Sequence, residues 1–176
     1  MATKMRETDR SMDRVYRILD HPLFRLKLAA IEEAERDRIY CGHNLAHLLD
    51  VARIAWILNL EQGLGLAKDL VYGTALLHDL GRAAEYGQGI PHDRASAELA
   101  RIILPQVGYE PKEVEAMERA ILGHRGHRGH EPGPGGEGPL AGLLFEADKK
   151  SRACFACPAW ESCKWPEEKK NTTIDF

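Results

Sequence analysis

The run Asp69-Leu-Val-Tyr-Gly-Thr-Ala-Leu-Leu-His-Asp-Leu80 constrains the fold more than any other part of the chain. Read as a helix it is apolar on nearly every side, so it belongs in an interior built by other helices. Yet it ends in an imidazole and a carboxylate, His78 and Asp79. Burying either group without a partner is costly, and a metal ion is the simplest partner for both. Gly81 suits the left-handed residue that commonly closes a helix. At a helix end, adjacent side chains can converge on a point beyond the last turn.

Helical periodicity runs through the rest of the chain, and no segment shows a convincing strand pattern. Ser11 can cap a helix beginning at Met12. Residues 22–38 place Leu23, Leu26, Ala30 and Ala34 on one face and a run of charges, Glu32 to Arg38, on the other, as in an amphipathic surface helix. Residues 43–62 form a long helix with Leu48, Val51, Ala52, Ala55, Leu58 and Leu60 inward. His43 and His47 share a face near its start, four residues apart. Residues 81–91 are polar and glycine-containing, and read as a loop. Helices follow over 91–106 and 111–123, with His92 near the start of the first and His124 just past the end of the second. Residues 125–139, rich in Gly, Pro, His and Arg, read as a loop. A last core helix over 140–152 carries Leu143, Leu144 and Ala147 inward, with Asp148 at the end of that apolar run. The expected fold is all-α, a bundle of about six or seven helices: one domain over residues 1–152, with a cysteine-containing tail, 153–176, packed on it.

A chain of 176 residues is long enough for one full core. Its formal net charge of −3 offers no general electrostatic reason to bind nucleic acid or an anionic membrane. No apolar run reaches the roughly 18 residues of a membrane span. The charged start, Met1 to Arg10, is not followed by a signal core, so a cytoplasmic protein is expected. Four cysteines then argue for thiols or metal rather than structural disulfides.

His47, the His78-Asp79 pair and Asp148 each sit on or at the end of a mostly apolar helix. Two imidazoles and two carboxylates favour iron, manganese, cobalt, nickel or zinc over magnesium. Here the sequence resembles the HD-domain metal-dependent phosphohydrolases, whose pattern is a His, then His-Asp, then a distant Asp. His47-Leu-Leu-Asp-Val51-Ala52 resembles the first motif and selects His47 over His43. Leu77-His78-Asp79-Leu80-Gly81-Arg82 resembles the second, and Glu146-Ala147-Asp148-Lys149 the last. His92 and His124 are similar to the extra histidines of members with two metals, in which Asp79 would bridge both ions.

The resemblance implies hydrolysis of a small phosphorylated molecule, such as a nucleotide, by metal-activated water. Asp79 would hold the water as well as the metal. Arg82 would hold a phosphate oxygen by charge-assisted hydrogen bonds. His43, Arg125 and Arg128 are candidate substrate contacts, and His127 and His130 read as solvated loop residues. The alternatives are a non-catalytic metal- or nucleotide-binding regulatory protein and a di-iron oxygenase of the same fold.

Cys154, Cys157 and Cys163 follow a Cys-x2-Cys-x5-Cys spacing, suited to a zinc or an iron–sulfur site. Cys41 is the available fourth ligand. It lies six residues before His47, and Cys154 lies six after Asp148. If the helices carrying His47 and Asp148 run antiparallel, Cys41 and Cys154 leave the metal centre in the same direction and can meet.

Overall fold

The computed structural model describes residues 10–124 and 138–176. Among them are eight α-helices and no strand: α1 (Asp13–Asp20), α2 (Pro22–Ala34), α3 (Leu45–Glu61), α4 (Lys68–Leu77), α5 (Arg82–Gln88), α6 (His92–Gln106), α7 (Pro111–Gly123) and α8 (Pro139–Lys150). Short 3-10 turns occupy Arg10–Met12, Cys154–Ala156 and Glu167–Lys169.

Helix α4 is the axis of the bundle. It packs against α1, α3, α6, α7 and α8, and Val71, Gly73, Thr74, Ala75, Leu76 and Leu77 are all buried. A helix without a polar face has no alternative to this position. Arg14 of α1 clamps the N-terminal end of α4. Its guanidinium donates to Asp69 at 2.7 Å and to both oxygens of Glu113 on α7 at 2.6 and 2.9 Å, and it lies 4.0 Å over the Tyr109 ring.

Helices α3 and α8 pack with opposite sense. Near its start α3 places His47 beside Asp148 and Ser151, and at its end Gln62 meets Glu146. The end of α8 is tied to the tail by Asn171, whose Nδ2 donates to the carbonyls of Lys149 (2.9 Å) and Arg152 (2.7 Å). The Tyr40 hydroxyl donates to the Ser162 carbonyl at 3.2 Å, joining the segment before α3 to the tail.

Several local expectations are corrected. The inward face of α2 is Phe24, Leu28 and Ile31; Leu26 is 63 % exposed and Ala30 and Ala34 are also exposed. The bulkier side chains bury more apolar area and set the helix rotation. Leu60, expected inward on α3, is likewise exposed. The first α-helix starts at Asp13, after a 3-10 turn that includes Met12. The segment after the His-Asp pair is not all loop, since residues 82–88 form α5.

Gly81 does not take a left-handed conformation. Its φ is −83°, and it is required for a different reason. A Cβ there would lie 2.5 Å from the His92 carbonyl oxygen and 2.6 Å from the Ser96 nitrogen. The absence of a side chain lets α6 approach the end of α4, and Gly81 N–H donates to Ser96 Oγ at 2.8 Å across the contact.

Candidate metal centre

Each side chain of the centre stands at a helix end, where the backbone can bring residues from different elements to one point. Asn44 caps α3 by accepting from His47 N–H, which puts His47 in the first turn. His78 caps the C-terminus of α4, with Asp79 next to it. Asp148 lies in the last turn of α8, His92 opens α6, and His124 caps the C-terminus of α7.

These residues form two groups that share Asp79. In the first, the ligating atoms of His47, His78, Asp79 and Asp148 lie within 4.8 Å of one another. His78 Nε2 is 3.3 Å from Asp79 Oδ2 and 3.8 Å from Asp148 Oδ1; His47 Nε2 is 3.5 and 3.7 Å from the same two oxygens. In the second, Asp79 Oδ1 faces His92 Nε2 at 3.2 Å and His124 Nε2 at 3.6 Å, and the two imidazole nitrogens are 3.2 Å apart. One carboxylate thus turns one oxygen to each group. Two ligand atoms each about 2.1 Å from one ion are separated by roughly 3.0–3.4 Å, close to the spacing seen here.

The hydrogen bonds around the rings show which nitrogen points inward. His78 Nδ1 donates to the Ala75 carbonyl at 2.6 Å, His124 Nδ1 to the Ile121 carbonyl at 2.5 Å, and His92 Nδ1 faces Glu85 Oε2 at 2.6 Å. An acceptor at Nδ1 places the proton there and leaves Nε2 for the centre, the usual outer arrangement of metal-ligating histidines. His47 Nε2 and His78 Nε2 are buried without a hydrogen-bond partner. Buried polar atoms are rarely left unpaired; a cation between these nitrogens and the carboxylates answers the deficit, so the donor set fits a divalent transition metal.

The electrostatics agree. Burial alone would raise the Asp79 carboxyl and lower His78, but each overcomes burial in the other. Asp79, with His78 beside it and the His47 and His124 rings facing it at 3.5 and 3.6 Å, is held well below the usual carboxylate range. His78, between Asp79 and Asp148, is pushed up to about 10. Asp148 is lowered, again against burial, by His78 and Lys149. The two carboxylates thus demand positive charge at the point where His78 meets them. His92 is the contrast: burial and the Arg82 guanidinium push it down to about 4, so it presents a neutral ring.

Arg82, read from sequence as a phosphate ligand, is engaged with the centre itself. Its Nε and Nη2 donate to the two oxygens of Asp79 at 2.9 and 3.3 Å, and Nη1 reaches Glu85 at 3.4 Å. His43 stands beside the first group, with Nε2 3.7 Å from Asp79 Oδ2. Arg125 and Arg128, with His127 and His130, lie outside the described residues.

Three residues at the centre escaped the sequence reading. Glu35 accepts from His43 Nδ1 at 2.5 Å and from the Tyr86 hydroxyl at 2.5 Å, with its side chain 7 % exposed. A run of charges there predicts a solvated face; the helix instead stops at Ala34 and the next residue turns inward. Glu85 and Tyr86 sat in the expected loop. Spacing was the available signal for Glu85, which is three residues from Arg82 on one helical face.

Cys41, Cys154, Cys157 and Cys163 are free thiols that all line one cavity of about 670 Å³, together with His47. Among the described residues, no three of these sulfurs come within 4.8 Å of one another.

This arrangement of helices and ligands is that of an HD domain, and the chain belongs to that family: the family model described as HD domain matches residues 44–153. It is 40 % identical over 165 residues to an uncharacterized protein of Clostridium beijerinckii, covering 94 % of this chain and all of that one. Over 64 residues it is 38 % identical to a bifunctional uridylyltransferase/uridylyl-removing enzyme of Gluconobacter oxydans, a stretch that covers 34 % of this chain and 6 % of the enzyme. In fold it is similar to the crystal structure of a predicted HD superfamily hydrolase from an uncultured Thermotogales bacterium. The TM-score is 0.60 at 23 % identity, over 89 % of this chain and 86 % of that one. No helix among the described residues is long and apolar enough to cross a membrane.

Proposed function

We propose that the protein is a metal-dependent phosphohydrolase that cleaves a phosphate ester or anhydride in a small molecule, a nucleotide first among the candidates. The observation that carries this reading is the convergence of unpaired imidazole nitrogens on carboxylate oxygens in the first group. His47, His78, Asp79 and Asp148 would hold one divalent ion; Asp79, His92 and His124 would contribute to holding a second. An ion so held supplies hydroxide near neutral pH and neutralises charge on phosphoryl oxygens.

The chain's own residues supply the rest. Asp79, bonded on both oxygens by Arg82, is held in one orientation between the groups. His78, Asp79, His92 and His124 are almost fully buried, whereas His47 and Asp148 keep 14 and 15 % of their side-chain surface exposed. Substrate therefore approaches along the His47–Asp148 side. His43, with Nδ1 fixed by Glu35 and Nε2 turned toward Asp79, is placed to pass a proton to the leaving oxygen. Two divalent ions, if held by these residues, would outweigh the carboxylates of Asp79 and Asp148 and so would suit a phosphoryl dianion over a neutral ester. The partial likeness to an enzyme named for transfer and removal of a uridylyl group supports a nucleotide.

The test is phosphate or nucleotide release from a panel of nucleotides by metal-replete protein, with metal content measured with and without reductant. Asp79→Ala should abolish hydrolysis and remove bound metal together. Full activity with full metal occupancy in that variant contradicts the assignment. Metal binding with no turnover on any phosphorylated compound favours the regulatory alternative, and reductant-dependent oxygen consumption favours the oxygenase.

A further inference from the structure

The metal centre leaves the four cysteines unused, and they come from two distant parts of the chain. Cys41 precedes α3; the other three follow α8. Because α3 and α8 run in opposite senses with His47 and Asp148 side by side, the segments beyond those residues leave the centre together. The four partly buried thiols consequently surround a single cavity of about 670 Å³. The hydrogen bond from Tyr40 to Ser162 holds the two segments at that spacing.

The cavity also carries positive charge. Arg38, Arg152, Lys164 and Lys170 line it with the cysteines, and cations lower the cost of ionising a thiol. Burial pushes the Cys41 thiol up, Cys154 and Cys157 push it further, and Arg152 opposes them, so these groups lie within electrostatic reach of one another.

Spacing separates the two metals that such a set can take. Four thiolates about 2.3 Å from one tetrahedral zinc lie roughly 3.8 Å apart. Here no three sulfurs come within even 4.8 Å. All four do line one cavity, and a multi-iron cluster is held by thiolates disposed around it and not meeting at one ion. We propose that Cys41, Cys154, Cys157 and Cys163 hold an iron–sulfur cluster of the four-iron class, in a cavity whose wall includes His47. The four surrounding cations balance its negative charge, and the cluster fastens the tail to the entry of α3.

The full chain is prepared anaerobically, supplied with ferrous iron and sulfide, and desalted. Acid-labile sulfide is the deciding readout, because iron at the His/Asp centre brings none. Wild type should retain about four sulfides per chain, with the broad visible absorption of a cluster that bleaches on reduction. Cys157→Ser, chosen in the tail away from the bundle core, should lose most of the sulfide while keeping wild-type helical circular dichroism. Asp79→Ala should keep the sulfide while losing the His/Asp metal, so the outcome is independent of the hydrolase reading. Zinc bound stoichiometrically without sulfide overturns the cluster. So does wild-type protein that retains no sulfide, or a Cys157→Ser variant that retains all of it.

Discussion

At the scale of the residue, the centre is a matter of which nitrogen carries a proton. His78, His92 and His124 each spend Nδ1 on an acceptor outside the site, so all three turn Nε2 inward. Two such nitrogens, on His92 and His124, face each other at 3.2 Å beside Asp79 Oδ1. If both proposed groups bind, metal-replete protein carries about two ions per chain. The double variant His92→Ala, His124→Ala should then carry about one, because three of the four ligands of the other group are untouched and Asp79 keeps its Oδ2. Elemental analysis checks the count; equal content in the two proteins would reduce these histidines to bystanders. The grouping of the candidate ligands His47, His78, Asp79 and Asp148 was legible because each combines a coordinating atom with an apolar helical context and a recognisable flank. Glu35 was not. A carboxylate within a run of charges looks solvated until the helix end that turns it inward is known.

At the scale of the element, the long helices followed from periodicity, but α5 did not. Residues 82–88 show no apolar face, contain Gly87, and none of them is buried. A seven-residue helix of this kind has little intrinsic stability. It is held through its side chains, by Arg82 on Asp79, Glu85 on His92 and Tyr86 on Glu35. Such contacts are invisible to a pattern of spacing. The junction of α4, α5 and α6 rests on Gly81. Gly81→Ala drives a methyl against the backbone of His92 and Ser96, which has no flexible side chain to move aside. A cost of about 1–3 kcal/mol is expected, the range for overpacking a filled site. That corresponds to a loss of roughly 2–12 °C in Tm for a chain of this size. Because the displaced backbone carries His92, the second group should weaken more than the first, giving partial metal loss even below the melting range. Thermal unfolding and metal content measured together check this; an unchanged Tm would show that α6 shifts freely.

At the scale of the whole molecule, the centre joins ends of nearly every helix, so its outer carboxylates also hold the fold together. Glu35 illustrates this. It stands just beyond α2, bonds His43 ahead of α3, and bonds Tyr86 on α5. Burial would raise its carboxyl, but the hydrogen bonds from His43 and Tyr86 prevail and hold it down to about 2, against an ordinary value of 4.5. The unfolded chain therefore takes up this proton at higher pH than the folded one. Stability from Glu35 is fully present above about pH 4.5 and is lost as pH falls toward 2. Glu35→Gln keeps the shape and removes the charge. At neutral pH it should cost about 2 kcal/mol, the scale of a charge-assisted hydrogen bond. The corresponding drop in Tm is roughly 4–8 °C. The gap between wild type and variant should hold steady from pH 7 to 5 and then narrow as the unfolded wild-type chain takes up the proton that the folded one refuses. Melting curves of the two proteins from pH 7 down to 3 measure it. A gap of constant size across that range would mean that the Glu35 side chain acts through packing alone, and that its charge contributes nothing to joining α2, α3 and α5.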